Sequence, residues 1–442
     1  MSADLRATRI RLTDFKSAPM RAFHLSWMSF FLCFFAWFGA APLMGLIREE
    51  FHLSKSEVGW CVIASVAATI LARVGIGWVC DRVGPRRAFS CLLIVGSLPV
   101  MLIGLSYDFT SFLIFRMLIG LIGASFVVTQ YHTSLMFAPN CIGSANATTA
   151  GWGNLGGGVT QCVMPMLVTF LIGTCGLTTA MGWRVGMLIV GAICLVMGVL
   201  YSFLTQDTPE GNFPQHRPKQ AKAAGGGLVQ AVRDPRVAIL AAAYACCFGM
   251  ELTLDNIAAL YFSDNFELGI EQAGFAAAAF GMMNIFARTL GGWISDRTAT
   301  RWGLQGRSLW LTCALLGEGV LLALFSRCTT LWVAIAALMT CGLFVKMSNG
   351  AVYAVVPFVK RQRLGAVAGL VGAGGNVGAV MAGFLFKGSL AWSTSLLILG
   401  FCVIGGGLLT ALLPLFGLDE AQEPRTVETQ SPAAEGLATG TA

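Results

Sequence analysis

The chain has 442 residues, 56% of them hydrophobic and only 12% charged. A water-soluble domain carries about 25% charged residues, so this composition excludes an ordinary soluble enzyme or binding module and points to a polytopic membrane protein with the lipid bilayer as its solvent. The net charge of +7 is split across short turns, which excludes a nucleic-acid patch.

Residues 1–26 form a basic lead-in (Arg6, Arg9, Arg11, Lys16, Arg21) without the apolar core of a cleavable signal peptide. Twelve apolar spans follow, at about 27–47, 58–80, 88–106, 109–137, 144–174, 184–204, 237–262, 272–295, 309–326, 330–357, 364–387 and 392–416, assigned by length and flanking charge. They divide into bundles at 27–204 and 237–416. The polar, Pro/Gly-rich stretch 205–236 reads as a linker and 417–442 as a disordered tail. The first span is crowded with aromatics from Phe30 to Phe38, which either face lipid or wall a pore. The 14 cysteines show no metal-ligand spacing and read as buried, inert thiols.

Span two ends in Arg73-Val-Gly-Ile-Gly-Trp-Val-Cys-Asp81-Arg82, and span eight in Arg288-Thr-Leu-Gly-Gly-Trp-Ile-Ser-Asp296-Arg297. Five positions match at a constant offset of 215 residues, the mark of a duplicated half-protein. From Arg73 to Asp81 is eight residues, roughly 12 Å of helix. The hydrocarbon half-thickness is roughly 15 Å. Both arginines therefore belong near the membrane midplane, where a charge marks a site facing an interior cavity. The turn Gly77 to Arg87 resembles the cytoplasmic signature of the major facilitator superfamily. That resemblance implies a conformational latch at Asp81, Arg82 and Arg86, and at Asp296 and Arg297 in the second copy.

In span four, Arg116 reads as structural, within a polar cluster near the outer face. His132 is either a hydrogen-bonded structural residue or a proton carrier. Span five carries Gly153-Asn154-Leu-Gly156 and span eleven carries Gly375-Asn376-Val-Gly378, 222 positions apart. Glycines at such spacing let helices approach closely. An asparagine in each run adds an amide able to meet a small oxyanion or an arginine. In span seven, Tyr244 and Phe248 lie one turn apart, followed by Glu251 and Asp255. At i and i+4 these carboxylates share a face, as proton carriers or as structural partners of a cation. Lys346 of span ten either snorkels or helps to attract an anion.

If the N-terminus is cytoplasmic, that side collects nineteen Lys and Arg against five opposite, which places both termini in the cytoplasm. A guanidinium is permanently charged and offers paired donors. Two of them, one from each half, favour a small oxyanion, unless each pairs with a buried carboxylate, for which Glu251 and Glu318 are the nearest candidates.

The arginine pair, the twin glycine-asparagine runs and Phe248-Gly-Met-Glu251-Leu-Thr-Leu-Asp255-Asn256 resemble the nitrate/nitrite porter family of the major facilitator superfamily. The resemblance covers residues 25 to 416. It implies an all-α membrane fold of twelve helices in two six-helix pseudo-repeat bundles. It implies substrate contacts at Arg73, Arg288, Asn154, Tyr244, Phe248 and Asn376, with Gly153 and Gly375 beside them. The expected function is import of nitrate, and also nitrite, across a bacterial inner membrane by a multi-pass monomer that needs no cofactor or metal. Proton symport is the first mechanism, with Glu251, Asp255 and His132 as carriers. Nitrate/nitrite exchange without protons is the second, and a membrane nitrate sensor is a rival of another class. No nucleophile set, phosphate loop or metal cluster points to an enzyme.

Overall fold

The computed structural model describes residues 5–138, 141–213, 231–359 and 364–416, and among them there is helix but no strand. The helices are α1 (Ala18–Phe38), α2 (Met44–Glu50), α3 (Lys55–Val83), α4 (Pro85–Leu102), α5 (Phe109–Gly120), α6 (Ser125–Met136), α7 (Ile142–Gly173) and α8 (Thr179–Leu204). After the linker come α9 (Pro235–Phe266), α10 (Ile270–Met282), α11 (Ala287–Phe325), α12 (Leu331–Val355), α13 (Leu364–Lys387) and α14 (Trp392–Thr410). The face at which α1 begins is called here the N-face, and the other the far face.

Among the described residues, ten helical rods are long and apolar enough to cross a membrane. The expected twelve spans differ at two places. The first, α1, carries Arg21 and His24 in its opening turns. The eighth is split, its first half being α10 and its second half, after the 3-10 turn Met283–Ile285, running into the ninth as one rod, α11, interrupted at Trp302 and at Gly303 with φ 58°. Helix α1 also begins at Ala18, nine residues before the expected edge, because Met20, Ala22 and Phe23 pack against Met136 and Phe137. Ala7 bonds into the same corner, its N–H donating to the Met136 carbonyl at 3.0 Å.

Helix starts are fixed by local chemistry. Ser54 and Glu57 form a reciprocal cap on α3, and Asp108 and Ser111 do the same on α5, satisfying N–H groups that a helix end leaves bare. The turn between α3 and α4 depends on Gly84 at φ 87°, where a side chain would strike the Asp207 carboxylate. Asp207 accepts from the Arg86 N–H at 2.8 Å and from Phe213 at 2.9 Å. The first residues of the expected linker are thus folded onto the helix ends. Residues 214–230 and the expected disordered tail 417–442 lie outside the described residues.

Helices α1 to α8 pack largely on one another, and α9 to α14 do likewise; the two groups meet along α3 with α13 and α7 with α10. Helix α7 approaches α10 at its glycines, since a Cβ on Gly158 would lie 2.5 Å from the Gly281 backbone. Gly158→Val overpacks this seam at a cost of about 1–3 kcal/mol. The variant is expected to unfold at a lower temperature than the parent chain, and an unchanged thermal midpoint would show that the close approach is dispensable.

The far face is tied across the two groups. Arg48 meets Asp264 at 2.7 Å, Lys387 stands 4.0 Å from the Trp60 ring, and Lys55 donates to the Leu390 carbonyl, while within the second group the Trp392 indole donates to Asp264 at 3.1 Å. The cysteines are free; Cys91, Cys175, Cys313 and Cys402 are exposed, contrary to the expectation of buried thiols. Their outward positions suit helix faces that meet lipid, where a thiol behaves as a small apolar group.

Candidate functional site

Arg73 projects from α3 toward a short break between α5 and α6, where Leu121–Ala124 tighten into a 3-10 turn. Its Nε donates to the Gly123 carbonyl at 3.4 Å. The guanidinium lies 5.4 Å from the Phe126 ring centre and 5.4 Å from that of Phe248. Phe248 is also 5.9 Å from the Arg288 guanidinium, so both cations lie within cation–π reach of one ring. Tyr244 stacks on Phe248 at 5.0 Å and 6°, and Tyr353 meets Tyr244 edge-on. Gly375 backs the stacked pair, and a Cβ there would come within 2.7 Å of Phe248. Gly153 does the same for Phe30.

Arg288, 9% exposed, is bonded in both directions. With the Asn154 oxygen turned toward it, Nη1 and Nη2 donate at 2.8 and 3.2 Å, a link from α11 to α7 across the seam. Its Nη2 also meets Glu251 Oε2 at 3.4 Å. Two donors remain without protein acceptors, Nη2 of Arg73 and Nε of Arg288.

Glu251 is wholly buried and lies at the centre of a cluster in α9, α11 and α12. Asn284 donates to Oε1 at 3.0 Å, Asn349 to Oε2 at 2.6 Å, and Lys346 Nζ lies 2.8 Å from Oε1. Asn284 sits in the 3-10 turn Met283–Ile285 that precedes α11, which turns its amide inward. Two cations, Arg288 and Lys346, therefore meet one carboxylate.

The structure brings together Arg73, Arg288, Asn154, Tyr244, Phe248, Glu251, Gly153 and Gly375. It does not do so for the remaining expected residues. Asn376 is buried but donates only to Gly372 of its own helix, at 3.4 Å. His132 lies in the N-terminal group, between the Tyr201 hydroxyl at 2.5 Å and the Gln206 carbonyl at 2.8 Å. Asp255 is one turn from Glu251 yet serves another neighbour. Its carboxylate abuts Gly157 of α7, its Oδ2 has no partner, and its backbone carbonyl accepts from Gln161 at 2.6 Å. Expected to snorkel or to draw in an anion, Lys346 is instead fully buried and paired, because Glu251 supplies its counter-charge.

At the expected latch, Asp296 pairs with Arg307 at 2.5 Å, Arg297 stands 5.2 Å from the Trp293 ring, and Arg86 donates to the Ser202 carbonyl at 2.9 Å. Arg82 has interactions of its own, and the Asp81 side chain lies outside the described residues. Sequence reasoning missed the Glu251 contacts of Asn284 and Asn349. The available signals were Asn284 interrupting an apolar run and Lys346 and Asn349 at i and i+3 on one helix face.

A fold of long apolar helices with one cation from each half at the seam, Arg288 buried and Arg73 half-buried, is that of a solute carrier. The sequence profile described as Major Facilitator Superfamily matches residues 26–355 and 253–439. High affinity nitrate transporter 2.5 of Arabidopsis thaliana is 40% identical over 394 residues, covering 88% of this chain and 78% of the relative. Nitrate/nitrite transporter NrtP of a Picosynechococcus is 29% identical over 449 residues, covering 81% and 83%. Among solved structures, a bacterial homologue of the human lysosomal transporter Spinster, inward-facing and unoccupied, superposes with TM-score 0.66 at 17% identity over 91% of this chain and 96% of that one. The chain belongs to the nitrate/nitrite porter family of the major facilitator superfamily.

Proposed function

We propose that the chain is a secondary active transporter that imports nitrate, and also nitrite, across a bacterial inner membrane by alternating access between bundles 27–204 and 237–416. The observation that carries this reading is the bracket Arg73–Phe248–Arg288 with its two spare donors, Nη2 and Nε. A flat oxyanion matches such a place: its oxygens take the N–H groups and its face lies against an aromatic ring. The N-face, rich in Lys and Arg, is the cytoplasmic one, so the bonded far face is the outer gate in its closed form.

Import of an anion against a negative-inside potential costs roughly 2.3 kcal/mol per charge for about 100 mV. A coupled cation offsets this, and proton symport is the mechanism we favour, with Glu251 as the coupling carboxylate because it alone meets Arg288. The substrate weakens the hold of Arg288 on Glu251, and Glu251 then accepts the proton.

The test is nitrate uptake by proteoliposomes with and without an inward proton gradient. Accumulation driven by the gradient is expected. Uptake only into vesicles preloaded with nitrite would replace symport by exchange. Absence of nitrate flux from folded protein in both formats would remove the substrate.

A further inference from the structure

Arg116 is buried like Arg288, and the function just proposed makes no use of it. It projects from the second turn of α5 and is 1% exposed. Its Nη1 donates to the Trp37 carbonyl at 3.1 Å, its Nη2 to Asn256 Oδ1 at 2.8 Å, and its Nε has no partner. Both acceptors are neutral, and none of its partners is a carboxylate. A charge in this place is costly, and a neutral amide such as glutamine could donate to the same acceptors. The closed seam therefore gives no reason for a cation, so the reason belongs to another state of the molecule.

The geometry identifies that state. Asn256 is on α9 and Arg116 on α5, so the 2.8 Å bond joins the two halves of the protein. Ser65 of α3 donates to the same Asn256 oxygen at 3.4 Å. Parting the halves at the far face breaks both bonds and bares Nη2 beside the unpartnered Nε. Depth follows from the helix. Arg73 is bonded to Gly123, seven residues beyond Arg116 along the same span, which is about 10 Å at the helical rise. Arg116 thus stands about 10 Å outward of the central pair, on the same seam.

We infer that Arg116 is a second oxyanion site, outward of the central pair, which takes the anion first when the outer gate opens. This deepens the proposed function and rests on it. An anion held at Arg116 occupies the donor that Asn256 needs, so the gate cannot reclose over it. Once the anion moves inward to Arg73 and Arg288, Asn256 regains Nη2 and the seam seals behind it. Arg116 thereby orders the steps: passage first, closure second.

The experiment measures KM for isotopically labelled nitrate, and separately nitrite, in right-side-out and inside-out vesicles. Arg116→Gln is expected to raise the outer KM about tenfold or more, the loss of one charge-assisted contact, and to leave the inner KM unchanged. A merely structural role would move both faces alike. Asn256→Asp is the second variant: its carboxylate competes for Nη2, and it too is expected to raise the outer KM. An unchanged outer KM, or equal rises on both faces, in whichever variant inserts would overturn the inference while wild-type flux keeps the function standing. Wild-type flux of neither anion would overturn both.

Discussion

Arg73→Lys and Arg288→Lys are each expected to lower nitrate uptake at sub-saturating concentration by about a hundredfold, although each keeps its positive charge. The loss lies in donor number. Arg288 spends Nη1 and Nη2 on Asn154 and Glu251 and keeps Nε in reserve. Arg73 spends Nε on Gly123 and keeps Nη2. A lysine has one compact nitrogen on a flexible stem and cannot hold a structural acceptor and a ligand in the same fixed fork. Hydrogen bonds to charged groups contribute about 1.5–3 kcal/mol each, so losing one corresponds to about ten- to a hundred-and-fiftyfold. The two variants differ in what they leave behind. Arg288→Lys also weakens the Asn154 link across the seam, so its maximal rate falls with its affinity, whereas Arg73→Lys acts mainly on KM. Uptake in membrane vesicles at several nitrate concentrations separates the two. Wild-type KM in both lysine variants would show that charge alone makes the site.

Much of this arrangement was legible in the sequence because membrane cost makes a buried charge conspicuous. The twin Arg-to-Asp-Arg motifs sit 215 positions apart, and that duplication alone carried both arginines to one depth. The all-helical fold followed from apolar length and from turn charge. Side-chain pairing was less legible, because residues distant in the chain decide it. Lys346 and Glu251 are 95 positions apart, and no local pattern announces their 2.8 Å contact. Asn154 and Asn376 occupy matching places in two glycine runs, yet only Asn154 meets an arginine, since Phe248 and Tyr244 fill the space at Gly375. Arg116 reads as structural in the sequence, and its bond to Asn256 on the other half is invisible there because α5 and α9 meet only in the folded molecule. Helix ends moved where a local contact decided them, as at the start of α1, where Phe23 meets Phe137.

The second large effect is expected at Glu251 and Lys346, two charges that are 0% exposed and hold each other in place. Removing one partner of such a pair costs about 3–5 kcal/mol, because the other is left buried and uncompensated. Lys346→Met should therefore destabilise the protein by that order and also draw Glu251 closer to Arg288, where it competes with the anion. Glu251→Gln keeps the shape and one oxygen to accept from Asn284 or Asn349, but leaves Lys346 and Arg288 without their shared carboxylate. Joined in one chain, the two substitutions remove both charges, and most of the lost stability should return, a coupling well beyond the few tenths of a kcal/mol expected of independent sites. Thermal denaturation of the purified singles and the double reads this directly, and strictly additive losses would show that the pair does not act as a unit. Transport gives the complementary reading. The double variant keeps Arg73, Phe248 and Arg288, so nitrate exchange between loaded vesicles should persist while accumulation driven by a proton gradient fails. If accumulation also persisted, the proton would have to travel by another group, and Asp255, buried against Gly157 with an unpartnered oxygen, would be the next to replace.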